Sequence, residues 1–348
     1  MNGSIYDFGA LPRLALQPTS DRPYTVTRAP RVGARRLRLA GLISNPRSHR
    51  NIGGSIAALG RSDVIGAAPA TRAELRDVLA MFASKDIDLL IIDGGDGTIR
   101  DVLTCAGDVW DSGWPDIAIL PSGKTNALAV DLGLPDGWSL DAALAAGRQG
   151  HTVSRSPIEI EQRHTQSLAV RGFLFGAGAF VDATELAQQT HRAGAFNSIA
   201  VGLALAWGIG QTLFGRGTSA WRAGSRIGLG FDDRAVRMHD TRPDGTDDRY
   251  IMLASTLERL PLGLKPFGSQ RPGLKLLVVD APPRRLAMML APLLAGRETR
   301  ALEKHGYHRV DASTVTIDTD TSFILDGESF PRGQYVLRRA PALRFVVP

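Results

Sequence analysis

Apolar positions along this 348-residue chain follow two rhythms, and the change between them falls near position 150. In the first part, short apolar runs alternate with stretches of helical spacing. Arg35 to Ile43 reads as a strand ending at Ser44-Asn45-Pro46. Leu75, Val78, Leu79 and Phe82 then recur at helical spacing, which predicts a helix over Thr71 to Ala83. Ile87 to Ile92 reads as a buried strand, Ile99 to Ala106 as a helix and Asp116 to Leu120 as the next strand. The turn Pro121 to Asn126 opens a helix that runs to about Leu132. Gly133-Leu134-Pro135 stops it, and Leu140 to Ala146 makes a further short helix. Strand and helix in alternation predict a parallel sheet flanked by helices.

From His151 onward the strands follow one another without helices between them. Val153 to Ile160, Leu168 to Phe175, Ser225 to Phe231, Tyr250 to Ala254, Leu274 to Val279 and Thr314 to Ile317 all read as strands, with turn residues such as Asp244-Gly245 between them. The expected organisation is an N-terminal extension (1–36), an α/β domain with a parallel sheet (37–150) and a β-rich second domain (151–334). The closing segment 335–348, with Tyr335 to Val347 apolar or alternating, either returns to the first domain or finishes the second.

Composition narrows the class. With 43% hydrophobic and 22% charged residues, the chain reads as an ordinary globular protein long enough for two cores. Cys105 is the single cysteine, which excludes an intramolecular disulfide and a cysteine-based zinc site. The first thirty residues lack the apolar core of a secretory signal. A cytoplasmic protein is the expectation. The net charge of +6 favours anionic partners, lipid or phosphorylated, and no basic run interleaved with aromatics points to nucleic acid. Ala195 to Phe214 is apolar over about the length of a membrane span, but Asn197, Ser198, Gln211 and Thr212 make insertion costly. A packed or surface helix fits it better. Arg216, Arg222 and Arg226 behind it would suit a helix lying on an anionic membrane.

The chemistry concentrates in four turns. Gly94-Gly95-Asp96-Gly97-Thr98 lies between a buried strand and a helix, and a plain strand-to-helix turn needs only one glycine. Three glycines let backbone N–H groups close on an anion at a helix N-terminus, and Asp96 is placed to hold Mg²⁺ against the phosphates. Asn45-Pro46-Arg47-Ser48 ends another strand with side chains able to hydrogen-bond a nucleotide. Ser122-Gly123-Lys124-Thr125-Asn126 is a third strand-end turn entering a helix. It is not a P-loop, because Ala118 stands where that motif has its first glycine. Asp326-Gly327-Glu328 follows the apolar run Phe323 to Leu325. Its carboxylates could accept a proton from an attacking hydroxyl, and the tripeptide also reads as a solvated hairpin turn.

Together these motifs resemble the diacylglycerol kinase catalytic-domain family, which includes bacterial lipid kinases and sphingosine kinases. The resemblance spans about Leu37 to Phe330. Pro121 to Pro135 matches the family's Pro-x-Gly-Thr-x-Asn, apolar helix, Leu-Gly-x-Pro pattern, and Gly176 to Asp182 looks like its glycine-rich segment. The resemblance implies a nucleotide-binding α/β domain, a β-sandwich domain, ATP and Mg²⁺ as cofactors, and phosphorylation of a lipid hydroxyl at a membrane surface. Gly94, Gly95, Asp96, Gly97 and Thr98 would bind phosphates, with Asp96 on the metal. Asn45, Ser48, Gly123, Lys124, Thr125 and Asn126 would line the nucleotide. Glu328 would be the proton acceptor, with Asp326 close behind. Asp96→Asn would then abolish turnover and leave the fold intact.

This chain departs from that pattern at His49, Lys124 and Ala127, and Arg271-Pro272-Gly273-Leu274-Lys275 stands where the family tends to show Asp-Gly-x-Leu-Asp, a structural metal site in some bacterial members. Two alternatives accompany the lipid kinase reading. The NAD kinase family also uses Gly-Gly-Asp-Gly-Thr, although the stretch Pro121 to Ala129 fits lipid kinases better. A catalytically degenerate member that binds lipid or nucleotide without turnover is the other.

Overall fold

The computed structural model describes residues 38–48, 51, 61–110, 113–163, 169–184, 224–231 and 247–348. The N-terminal extension, His49, and the segment Ala195–Phe214 with Arg216 and Arg222 lie outside the described residues. Two compact units divide the chain. The first takes the described residues among 1–157, 166–172 and 340–348, and the second those among 158–165 and 173–339.

The first unit holds a six-stranded sheet made of β1 (Ala40–Ser44), β2 (Val64–Ala67), β3 (Leu89–Gly94), β4 (Asp116–Pro121), β5 (Thr152–Arg155) and the C-terminal strand Leu343–Val346. Its order is β2-β1-β3-β4, then Leu343–Val346, then β5. All neighbours are parallel except β5, which runs antiparallel to the C-terminal strand. Every residue of β1 and β3 is buried. A strand covered on both faces has no reason to alternate, which is why these two appear in the sequence as unbroken apolar runs.

Helix α1 (Arg72–Ser84) starts at Thr71, whose hydroxyl accepts from the Glu74 N–H, while the Glu74 carboxylate accepts from the Ala70 N–H. Leu75, Leu79 and Phe82 bury its inner stripe. Phe82 lies flat against β1 at Gly41, where a Cβ would stand 2.5 Å from the ring. Helix α2 (Asp96–Ala106) begins three residues before the sequence predicts, because β3 runs on to Gly94 and Gly95 alone makes the turn. Helices α3 (Ala127–Leu132) and α4 (Leu140–Gln149) follow β4. Ala143, Leu144 and Ala146 of α4 pack with Leu89, Ile91, Ala118 and Val346 in the core on one face of the sheet.

The second unit is antiparallel. Its strands are β6 (Ile158–Gln162), then, after the short strand β7 (Val170–Gly172) of the first unit, β8 (Leu174–Gly178), β9 (Ser225–Phe231), β10 (Asp248–Ser255), β11 (Leu274–Asp280), β12 (Tyr307–Ala312), β13 (Thr314–Thr319), β14 (Phe323–Leu325), β15 (Glu328–Phe330) and β16 (Gly333–Arg339). Between β9 and β10 the ladder narrows to two residue pairs. It thereby divides into a half with β6, β9, β13 and β16 and a half with β8, β10, β11, β12, β14 and β15. Phe323 of one half meets Tyr335 of the other edge to face at 4.9 Å and stacks on Phe330 at 5.2 Å. This is the α/β plus antiparallel β arrangement the sequence predicts. Two helices in this unit, α5 (Leu286–Leu294) and α6 (Arg300–Lys304), have no counterpart in the sequence reading.

Three predicted strands prove to be two each. Val153 to Ile160 breaks at Ser156-Pro157, Leu168 to Phe175 at Phe173, and Tyr335 to Val347 at Ala340-Pro341-Ala342. All three breaks fall where the chain leaves one unit for the other. Apolar patterning runs straight through them because both sides are strand, and Pro157 and Pro341 mark two of the passages by withholding a ladder donor.

Candidate functional site

In the first unit, the chain continues from β1 to β2 on one side of the sheet and to β3 on the other. The crevice at the carboxyl ends of β1 and β3 is therefore a topological switch point, where open α/β sheets take their ligands. Three of the predicted turns arrive there. The structure ties them together by hydrogen bonds.

The Asn45 side chain is 1% exposed, donates to Thr98 Oγ1 at 2.8 Å and accepts from the Arg47 N–H at 3.0 Å. The Asn45 N–H donates to the Asp93 carbonyl, and the Ser122 N–H to the Gly94 carbonyl. Gly95 and Gly123 touch backbone to backbone: a Cβ on Gly123 would lie 2.5 Å from the Gly95 Cα. Gly94 is equally constrained, since a Cβ there would lie 2.5 Å from the Thr98 side chain. Asn126, at φ 49°, closes its own turn by accepting from the Gly123 N–H and donating to the Gly123 carbonyl. Lys124 and Thr125 project from this turn and are exposed.

Asp96 stands at the first position of α2 yet serves α3. Its carboxylate accepts from the N–H groups of Ala127 and Leu128 at 3.0 and 3.3 Å, so it caps the N-terminus of the neighbouring helix. Burial pushes the Asp96 carboxyl above the usual carboxylate range, against the pull of those amides.

Asp93 is the residue that sequence reasoning passed over. It is the fifth residue of β3, buried, and accepts from the Ser44 hydroxyl at 3.0 Å and from the Ser122 hydroxyl. One carboxylate thus joins the ends of β1, β3 and β4. The signal was present in the sequence, since an acid at the end of an apolar run needs buried partners. Asp93→Ala is expected to lower stability by about 1–3 kcal/mol through two orphaned hydroxyls. Urea unfolding measures this, and an unchanged midpoint would rule out the tie.

This corner suits an anion. The first amides of α2 have no acceptor within their helix. The Ser48 hydroxyl is 1% exposed and has no hydrogen-bond partner among the described residues. Mg²⁺ commonly takes one or two carboxylates and completes its shell with phosphate and water, which Asp96 can serve with its remaining lone pairs. Among the described residues no cluster of three metal-binding side chains occurs.

In the second unit, Asp326-Gly327 forms the turn between β14 and β15. Their φ angles of 46° and 81° belong to a two-residue hairpin turn of the type that Asp-Gly favours. The Asp326 carboxylate accepts from the N–H groups of Phe173 and Leu174 at 2.9 to 3.2 Å, and so fastens the hairpin to the start of β8. Glu328 is 4% exposed on β15, not a solvated turn residue.

The stretch Arg271–Lys275 does not suit a divalent ion. The buried Lys275 ammonium donates to the carbonyls of Arg271 and Gly273, and Arg271 donates to those of Phe267 and Ser269. Arg271 also grips Asp311 with two bonds of 2.8 Å. Side-chain cations hold the oxygens that a metal would need.

Comparison with known proteins bears on the fold and on one segment of the sequence. Residues 42–159 match the family model of the diacylglycerol kinase catalytic domain. No curated protein matches the chain. A structure described as a diacylglycerol kinase from Bacillus anthracis str. Sterne is 15% identical, with a TM-score of 0.57 over 89% of this chain and 97% of its own. Two more from that organism, described as candidate diacylglycerol kinases, have 15% and 18% identity, TM-scores of 0.60 and 0.58 and the same coverage. At such identity they show a shared fold. Residues 42–159 are thus similar to the diacylglycerol kinase catalytic domain, as the motifs they carry led one to expect.

Proposed function

We propose that the chain is an ATP-dependent lipid kinase that transfers the γ-phosphate to a hydroxyl of diacylglycerol or a related long-chain lipid. The observation that carries this reading is the set of turns tied together at the β1/β3 switch point, within the segment that matches the catalytic-domain family. The first unit would be the nucleotide-binding domain and the second the lipid-binding domain.

The first amides of α2 and the Ser48 hydroxyl would hold phosphate oxygens, and the apposed Gly95 and Gly123 leave the backbone bare for them to approach. Asn45, with its carboxamide fixed by Thr98 and Arg47, would position the loop that carries Ser48. Thr98, fully buried, would support Asn45 from behind. Lys124 and Thr125 are exposed where a nucleotide could meet them. Asp96 would hold Mg²⁺, which when bound neutralises charge on the phosphates. Glu328 would take the proton of the acceptor hydroxyl, and Asp326 would keep the hairpin that presents Glu328 in register.

The test is incubation of the purified chain with γ-labelled ATP, Mg²⁺, NAD and mixed vesicles containing diacylglycerol, followed by separation of the lipid extract from the aqueous phase. Label in the lipid fraction is expected. Label on NAD instead would make the chain a NAD kinase-like phosphotransferase. Mg-ATP binding without label on any lipid class would make it a binding member without turnover.

A further inference from the structure

Helix α5 has the sequence Leu-Ala-Met-Met-Leu-Ala-Pro-Leu-Leu, with no polar side chain in nine residues. Leu286, Met289 and Leu293 face inward, against Phe267, Leu277, Val279 and Tyr307. Helical spacing puts Ala287, Met288 and Ala291 on the opposite face, and all three are exposed, Met288 at 64%. A helix at the surface of a water-soluble unit carries polar residues on its outer face. This one carries none.

Its ends are basic. Arg284 and Arg285 precede it, Arg297 and Arg300 follow it, and all four are exposed. Exposed Lys265 lies alongside, its backbone N–H donating to the Leu294 carbonyl at 2.8 Å. The same loop carries Leu262, 67% exposed and held at φ 60°, where a leucine is strained. Between positions 259 and 300 the sequence has two acids, and both are engaged elsewhere. Asp280 pairs with Arg249 and His308. Glu298 sits beside Gly268, in the field of Arg271 and Arg309.

We infer that the outer face of α5 with its flanking cations is a docking surface for an anionic lipid bilayer. An apolar face rimmed by cations matches the acyl boundary of a bilayer beneath anionic headgroups, so one partner satisfies both features. A second copy of the chain would cover the methionine face but set Arg284 and Arg285 against their own kind. Nine residues span about 13 Å, so the helix lies on the membrane rather than across it. The choice of a lipid partner rests on the kinase reading above, but the test needs neither ATP nor acceptor.

Vesicles of equal parts phosphatidylglycerol and phosphatidylcholine, and of phosphatidylcholine alone, are sedimented with the full chain at low and high salt. Binding to the anionic vesicles is expected, weakened by salt. Met288→Glu, and separately the pair Arg284→Glu with Arg285→Glu, are expected to lower the partition coefficient roughly ten-fold or more. These residues are exposed, and circular dichroism checks that each variant is folded. Wild-type binding by both variants, or no vesicle binding by the parent chain, would overturn the inference. So would a parent dimer that Met288→Glu converts to monomer in sedimentation velocity, since a second copy would then own the face. Label transfer by the parent chain to a water-soluble short-chain diacylglycerol, which offers no interface, separates failure of docking from failure of the kinase reading.

Discussion

Glu328→Gln is expected to lower the rate of lipid phosphorylation by about 10²- to 10⁴-fold, the range in which a positioned general base acts. The change is isosteric, removes the charge and turns one acceptor oxygen into an NH₂ donor, so the side chain can no longer take up a proton. Nucleotide affinity should stay close to that of the parent, since Glu328 lies in the second unit and the turns proposed to hold phosphate lie in the first. Asp326→Asn provides the contrast. Both oxygens of Asp326 accept backbone N–H groups of Phe173 and Leu174, and an amide can offer only one oxygen to them. That variant should lose stability, and its activity should recover on cooling or with stabilising osmolyte. Single-turnover rates and urea titrations of the two variants decide between the roles. Turnover near the parent value in Glu328→Gln would remove Glu328 as the base.

Asp96→Asn is the second large effect, a loss of about 10²- to 10³-fold in turnover if its carboxylate holds the metal against developing phosphate charge. The sequence led to the expectation of an intact fold. The structure changes that expectation, because Asp96 also caps α3 through Ala127 and Leu128. An asparagine keeps one oxygen for these amides but turns an NH₂ toward the other, at a cost of about 1–2 kcal/mol. A lower midpoint should therefore accompany the lost activity. The two contributions separate in binding experiments: loss of a metal ligand weakens nucleotide binding only when Mg²⁺ is present, whereas a loosened α3 weakens it with and without the ion. Equal weakening in both conditions would remove Asp96 from the metal.

The same residues show why part of the site is legible in sequence and part is not. The glycines of Gly94 to Gly97 and of Gly123 announce a backbone that must be approached closely, and the structure puts Gly95 against Gly123. The partner of that approach could not be read, since nothing local says that the turns after β3 and β4 meet. Asp96 stood out in sequence as a candidate metal ligand, but its capping of α3 did not, for that helix begins about thirty positions later. Asp93 was hidden within a strand, and only the pairing of β1, β3 and β4 reveals that its carboxylate has two hydroxyls to collect.

By itself the sequence determined what depends on near neighbours: buried strands from unbroken apolar runs, α1 from its spacing, the hairpin from Asp326-Gly327, and the resemblance to a family from motifs in order. Tertiary structure alone decided which unit each half of the runs at Pro157, Phe173 and Pro341 joins, because both halves have strand patterning and only the partner strands differ. It also decided that Lys275 and Arg271 would bond carbonyl oxygens, and that α5 would leave Met288 uncovered. Periodicity reports how a side chain is placed on its own element. Whether that side is covered, and by what, depends on residues far away in the chain.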